Sequence, residues 1–215
     1  MQSSRHQIAR TLLRIGAVTL SPDKPYLYVS GGRGPIYCDN RLLLGYPHDR
    51  NYVRDQFIEL MQRNHLDCDV IAGIATAGIP HAAWLADKLN KPMVYVRSAA
   101  KQHGKQNIID GPLAAHQRVI LIEDLINTGA SSIAAADAVR GAGGIVVACV
   151  AIMTYNLVTA KEAFAQAKCP LFTLTDIEAL LDVALQEKRI TPAQRDLVLR
   201  WQQDPPNWAK KEGFA

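Results

Sequence analysis

The sequence predicts an α/β protein whose core is a mostly parallel β-sheet flanked by helices. Four apolar runs without alternation, typical of strands buried on both faces, follow one another along the middle of the chain. Segments with helical periodicity lie among and after them, and this alternation indicates right-handed crossover connections. The runs are DVIAG, PMVYV, RVILIE and GIVVACVAIM, at residues 69–73, 92–96, 118–123 and 144–153.

Helices are predicted from apolar residues that recur at helical spacing. In the first of them Ile8, Leu12 and Ile15 share one face, and Gly16 marks the end. An alanine-rich segment that ends in glycines follows the third strand in the same way. The helical segments are residues 5–16, 47–65, 79–90, 131–142, 157–168, 176–186 and 191–201, with a further short strand at 171–173.

Three stretches lack a regular period. Residues 21–41 are rich in Gly, Pro and Tyr and are predicted to form two short strands with turns. Residues 97–117 are predicted to be an aperiodic loop. The tail, residues 204–215 with the sequence DPPNWAKKEGFA, is predicted to be loosely held.

Composition excludes several classes of protein. The chain has 215 residues, of which 48% are hydrophobic and 20% charged, which is typical of one globular domain. Its longest apolar run, residues 145–153, is too short to span a bilayer, which takes about 20 residues. The four cysteines form no CxxC pair, so a zinc ribbon or a thioredoxin-type motif is excluded. We therefore expect a cytoplasmic protein with no membrane partner.

The net charge of +4 is mild and is not clustered, so no nucleic-acid partner is predicted. A solvated surface and a small anionic substrate both explain this excess of positive charge.

The segment VILIEDLINTGASS, residues 119–132, has the composition of a phosphate site. Its strand ends in two adjacent acids, and small residues then lead into a helix, whose first N–H groups are unpaired and carry partial positive charge. Hydroxyls of Thr128, Ser131 and Ser132 add possible donors. The acids Glu123 and Asp124 suit vicinal ribose hydroxyls or a divalent metal. The segment is neither a Walker A loop nor a GxGxxG fingerprint.

A purely structural interpretation remains open for this segment. In it Ser131 caps the helix, and Glu123 and Asp124 are surface acids.

This segment resembles the phosphoribosyl pyrophosphate (PRPP) signature of type I phosphoribosyltransferases. Further agreement, in order and spacing, runs from about Ile8 to Leu185 and includes GPIYCDNRLLLGYP, GIATAGIPHAAWLADKL and YVRSAAKQHGKQN. The resemblance implies a parallel-sheet core, a small N-terminal hood over the base, and a mobile catalytic loop. In this chain the hood would come mainly from residues 1–46, the core from about 47–175, and C-terminal helices from 176–203 of a single domain.

The resemblance also implies roles for individual residues. Lys101, His103 and Asp124 would be catalytic, with Lys101 the most sensitive, and Mg²⁺ would be carried by PRPP without a protein metal site. Because the loop in related enzymes reaches a neighbouring subunit, a homodimer with shared sites is implied. The PRPP-binding residues would be Arg97, Lys101, His103, Thr76, Ala77, Glu123, Asp124, Leu125, Ile126, Asn127, Thr128, Gly129, Ala130 and Ser131.

The GPIYCDNR segment and the loop point to the branch of the family whose base is orotate. Tyr37, Arg41 and Asn127 are the candidates for binding orotate, although Tyr37 and Arg41 could equally be structural. Two alternatives stay open: transfer to another base, or a regulator that binds PRPP without chemistry. The chain departs from other members at Val29, Arg33, Gly34, Asn127 and Asn156.

Overall fold

A computed structural model of the protein describes residues 4–29, 31–97 and 108–214. Its strands are β1 (Val18–Leu20), β2 (Tyr26–Leu27), β3 (Arg33–Gly34), β4 (Ile36–Cys38), β5 (Val70–Ile74), β6 (Met93–Val96), β7 (Ile109–Asp110), β8 (Arg118–Ile126), β9 (Ile145–Thr154) and β10 (Leu171–Asp176). Its helices are α1 (Ser4–Arg14), α2 (Pro47–Arg63), α3 (Gly78–Leu89), α4 (Ala130–Gly141), α5 (Val158–Gln166), α6 (Ile177–Gln186), α7 (Pro192–Gln203) and α8 (Pro205–Lys211), with a 3₁₀ helix at Asn40–Gly45.

The described strands β5 to β10 form the central sheet, in the order β10-β9-β8-β5-β6-β7. All its neighbours pair in parallel except β6 and β7. Every residue of β5 is buried, because helices cover both faces of the sheet and leave no solvated side that would produce alternation. The predicted fold class, a mostly parallel sheet flanked by helices, is therefore confirmed.

The N-terminal region differs from the prediction of two short strands. It contains four strands of two or three residues, which pair as β1 with β4 and β2 with β3. Strands this short are fixed by their partners and turns, and no alternating pattern of apolar residues can develop within them. For the same reason β7, two residues long, was missed inside the stretch predicted to be aperiodic.

The prediction of a loosely held tail was wrong. The tail forms α8, which lies against β3 of the hood. Its Trp208 is 1% exposed and donates from Nε1 to the carbonyl oxygen of Leu197 at 3.0 Å. The two prolines that suggested an irregular tail stand in the first turn of α8, where a missing N–H costs nothing.

Among the described residues, no helix has both the length and the apolar character needed to cross a membrane.

Trp208→Ala is expected to lower the free energy of unfolding by about 3–5 kcal/mol, because it empties a large buried site. Urea unfolding followed by circular dichroism measures this loss. Lys210→Ala, an exposed position on the same helix, is the control and should stay within about 0.5 kcal/mol of the wild type. A Trp208→Ala variant as stable as that control would show that the tail does not contribute to the folded core.

Candidate active site

Three segments that were predicted to bind PRPP meet at the carboxyl edge of the parallel strands. They are the turn after β5, the end of β6 and the turn between β8 and α4. A cavity of about 120 Å³ lies between them and is lined by Ala75, Arg97 and Ser131, among others. The edge formed by the carboxyl ends of the strands is where open α/β sheets bind their ligands.

The amino end of α4 is open to solvent. Gly129 precedes the helix with φ of 83° and has no side chain to cap it, and only the N–H of Ala130 makes a long contact, at 3.5 Å, with Oγ1 of Thr128 among the described residues. Asn127, Thr128, Ala130 and Ser131 are exposed around it. The first N–H groups of the helix, with the partial positive charge of its axis, are therefore available to an anion.

Gly129 is also required by packing. A Cβ on it would lie 2.8 Å from the ring of Phe164 on α5. The positive φ and this close approach together exclude a larger residue at this point of the turn.

The serines of this turn behave differently from one another. Ser132 was expected to offer a hydroxyl donor, and this was wrong: it is fully buried, beside the Cys149 thiol, because it begins the inner face of α4. The Ser131 hydroxyl lies near the Glu123 carboxyl and opposes the rise in its pKa that burial causes. Gly129 precedes α4, so Ser131 lies inside the helix and is not its cap.

The strand that carries the two acids is longer than predicted. The sequence indicated its end at Glu123, whereas β8 continues to Ile126 because β9 still pairs with it there. Leu125 and Ile126 therefore belong to the strand, and Ile126 is 1% exposed.

Glu123 and Asp124 form an unequal pair. Glu123 is 6% exposed, and its Oε1 accepts the N–H of Asp124 at 3.0 Å. Burial, together with the neighbouring Asp124 carboxyl, raises the pKa of Glu123 to about 9. Asp124 is only half-buried. At neutral pH, without substrate, Glu123 holds a proton, so the pair carries less than its full negative charge.

The turn after β5 is held close to β8 by glycine. A Cβ on Gly78 would lie 2.2 Å from the carbonyl oxygen of Ile122. This approach brings Thr76, which is exposed, and Ala77 beside β8. The Ala75–Thr76 peptide is cis.

Arg97 lies at the end of β6, and its Nε is 2.7 Å from Oδ2 of Asp110 on β7. Lys101 and His103 lie outside the described residues. Asp110 has no motif around it, so the sequence offered no signal for this ion pair.

The candidate base residues lie on the hood side of the site. Tyr37 on β4 is exposed, with its ring centroid 5.7 Å from that of Tyr26. Arg41 pairs with both carboxylate oxygens of Asp39, at 2.6 and 2.8 Å, and this hydrogen-bonded pairing lowers the pKa of Asp39. Asn127 is exposed at the phosphate turn.

Two of the departures from other members have a structural cause. A Cβ on Gly34 would lie 2.2 Å from the hydroxyl of Tyr28, which donates to the carbonyl oxygen of Ile36, so Tyr28 and Gly34 require each other. The Asn156 amide donates to Glu178 at 2.8 Å and supports the scaffold. Val29 and Arg33 are exposed, and nothing in the structure explains these two substitutions.

The described residues contain no cluster of three or more His, Cys, Asp or Glu that could hold a metal ion.

Comparison with known proteins establishes the family to which this chain belongs. The family model described as "Phosphoribosyl transferase domain" matches residues 53–188. An orotate phosphoribosyltransferase of Coxiella burnetii is 46% identical over 202 residues, 94% of this chain and 97% of that protein. One of Halalkalibacterium halodurans is 48% identical over 201 residues, 94% of this chain and 96% of that protein. The chain belongs to the orotate phosphoribosyltransferase family.

The solved structures agree with this membership. The crystal structure of orotate phosphoribosyltransferase from Aeropyrum pernix superposes with a TM-score of 0.73 at 26% identity, covering 86% of this chain and 99% of that one. The resemblance drawn from the signature, the hood segment and the loop is thus confirmed for the family.

The buried carboxyl predicts a pH-dependent stability. The unfolded protein releases the Glu123 proton near pH 4.5, whereas the folded protein keeps it up to about pH 9. The unfolded state therefore binds fewer protons over this range, and the free energy of unfolding falls as pH rises. We expect Glu123→Gln, measured by urea unfolding without PRPP or Mg²⁺, to remove this part of the decline. Parallel pH profiles of the two proteins would contradict the assignment.

Proposed function

We propose that the protein transfers the phosphoribosyl group of PRPP to orotate, giving orotidine 5′-monophosphate and pyrophosphate. The bond from the ribose anomeric carbon to the diphosphate oxygen breaks, a bond from that carbon to an orotate ring nitrogen forms, and the proton of that nitrogen passes to the departing pyrophosphate or to water. The observation that carries the proposal is the open amino end of α4 beside Glu123 and Asp124, at the meeting point of the three predicted segments.

The phosphate turn supplies the site for the 5′-phosphate. Residues 127–131 offer backbone N–H groups and the hydroxyl of Thr128, with no lysine needed for charge. Leu125 and Ile126 belong to strand β8 and not to the turn, so they would support the phosphate site from within the strand. Asp124, half-buried and beside this turn, is placed to accept hydrogen bonds from the ribose hydroxyls.

Glu123 acts on the ribose site indirectly, through Asp124. It supports the backbone of Asp124, whose N–H its Oε1 accepts.

The diphosphate is assigned to the opposite part of the site. Thr76 and Ala77 present small groups and backbone, and Arg97 supplies positive charge at the end of β6. Lys101 and His103 are assigned to the leaving pyrophosphate, on which negative charge develops in the transition state. Because orotate is already an anion, positioning of two substrates and stabilisation of this charge provide the catalysis.

Magnesium is expected to arrive with PRPP. The fit of the protein to the ion rests on its donor set: Glu123 is buried and protonated, which leaves the single carboxylate of Asp124 as a possible ligand at this point. When bound, Mg²⁺ neutralises diphosphate charge, and it prefers phosphate and water oxygens to a protein cage.

Orotate is assigned to the hood side, between Tyr37 and Arg41 and the amide of Asn127. The relatives of this chain are named orotate phosphoribosyltransferases, which supports orotate as the base. An asparagine amide offers both a donor and an acceptor to the ring. We further propose a cytoplasmic homodimer whose loops, residues 97–107, complete each other's sites.

Orotate consumption tests the function. Purified protein, PRPP and Mg²⁺ are followed by ultraviolet absorbance, beside parallel reactions with uracil, hypoxanthine and adenine. Loss of orotate that depends on all three components is the expected result. Turnover of a different base would show that this base, and not orotate, is the substrate. PRPP binding without turnover of any base would indicate a regulator.

Lys101→Ala is expected to reduce turnover by about 10- to 1,000-fold with an unchanged unfolding curve, because it removes charge from the leaving group. Lys88→Ala, an exposed lysine on α3, is the matched control. Mixing Lys101→Ala with Asp124→Asn protein then tests sharing: mixed dimers with one intact site would recover activity that neither variant has alone. Unchanged turnover would remove the role of Lys101, and no recovery would place the loop in its own subunit's site.

A further inference from the structure

Asn40 is a wholly buried polar residue that joins the hood to the carboxyl end of β8. It begins the 3₁₀ helix and is 0% exposed. Its Nδ2 donates to the backbone carbonyl oxygen of Asp124 at 2.9 Å, across 84 positions of the sequence.

This bond falls where β8 has lost a neighbouring strand. The pairing of β5 with β8 ends at Gly73 and Ile122, whereas the pairing with β9 continues to Ile126. Beyond Ile122, β8 therefore has a strand on one side only among the described residues. The backbone of Asp124 is held there by two side groups, with the Glu123 carboxyl bound to its N–H and the Asn40 amide to its carbonyl oxygen.

Stability alone does not account for an asparagine at this position. Its Oδ1 is buried and accepts no hydrogen bond from residues within the described ranges. A buried polar atom without a partner costs about 1–3 kcal/mol, a cost that an apolar residue of similar size would avoid. The donated bond to Asp124 is the feature that only the amide provides.

Asn40 also lies between residues that serve different substrates. Its neighbours in sequence, Asp39 and Arg41, form the ion pair on the base side, and the charge of Asp124 acts on both Cys38 and Arg41. The 3₁₀ helix and β8 are thus joined at the boundary between the base and the ribose.

We propose that Asn40 is a positioning residue that fixes the base-binding hood relative to the ribose-binding carboxylate of Asp124. The proposal rests on the proposed function, because it assigns the two sides of the contact to orotate and PRPP. Bond formation requires the reacting atoms to approach within about 3–3.5 Å, and a misplacement of about 1 Å costs on the order of 100-fold in rate. Loosening this contact therefore affects kcat more than the binding of either substrate.

Asn40→Ala tests the proposal against Asn64→Ala. Asn64, an exposed residue that follows α2, makes the same type of bond locally, from Nδ2 to the carbonyl oxygen of Leu60 at 2.8 Å, and controls for the loss of an amide away from the site. With both substrates saturating, and well below each melting temperature, we expect kcat of Asn40→Ala to fall about 10- to 100-fold. The KM for PRPP should stay within about threefold, and Asn64→Ala should keep kcat within about twofold.

Asn40→Asp adds a readout that a purely structural role would not move, and it carries the test if the alanine variant does not fold. A carboxylate of the same shape cannot donate to the Asp124 carbonyl, whereas the protonated acid can. Burial beside Asp124 raises the pKa of the new carboxyl, so the ratio of its kcat to that of the wild type should rise as pH is lowered from about 10 to about 6.

Wild-type kcat in Asn40→Ala, or a pH-independent ratio for Asn40→Asp, overturns the proposal while the proposed function stands. If the wild-type protein does not consume orotate, the proposed function is wrong, and this result is obtained before any variant is measured. The proposed role of Asn40 is then wrong as well, because it depends on that function.

Discussion

The extension of β8 beyond the end of β5 is the constraint on which the rest of the site depends. The strand lies between β5 and β9, but from Glu123 onward its pairing with β5 has ended and its pairing with β9 continues. The freed side leaves room for the turn before α3, which approaches the Ile122 carbonyl so closely that only Gly78 fits. The same extension carries both acids past the end of β5 and leads directly to the amino end of α4. One strand therefore positions the turn before α3, the two acids and the turn before α4 together.

What the sequence could predict follows from how local each feature is. The four parallel strands β5, β6, β8 and β9, the turn before α4 and the family were predictable because apolar runs and small residues around residues 127–131 act within a few positions, although β6 alternates between half-buried and buried residues and is not buried throughout. The length of β8, the Arg97–Asp110 pair and the Asn40–Asp124 bond depend on partners far away in the sequence. Ser132 was misjudged because the residues alone do not show which side of α4 faces the sheet.

The hood was the least predictable region because its strands hold few residues and its geometry comes from individual contacts. Tyr28 illustrates this: its hydroxyl bonds the Ile36 carbonyl and occupies the space that a larger residue at Gly34 would need. A substitution that looked like a departure from the family is therefore one half of a matched pair. Gly34 therefore preserves the shape of the hood and is not evidence against orotate as the base.

The carboxyl end of β9 limits where the carboxylate of the base is recognised. The amides of Asn156 and Gln202 both bind Glu178, and Gln202 also donates to the Tyr155 carbonyl. The N–H of Tyr155 in turn binds the carbonyl of Ile126 on β8. These groups hold the two strand ends together, so they are not available to recognise an anionic ring. In the proposed function Arg41, which is exposed beside Asp39, is therefore the candidate for positive charge at that ring, and the contact between the hood and β8 would place it.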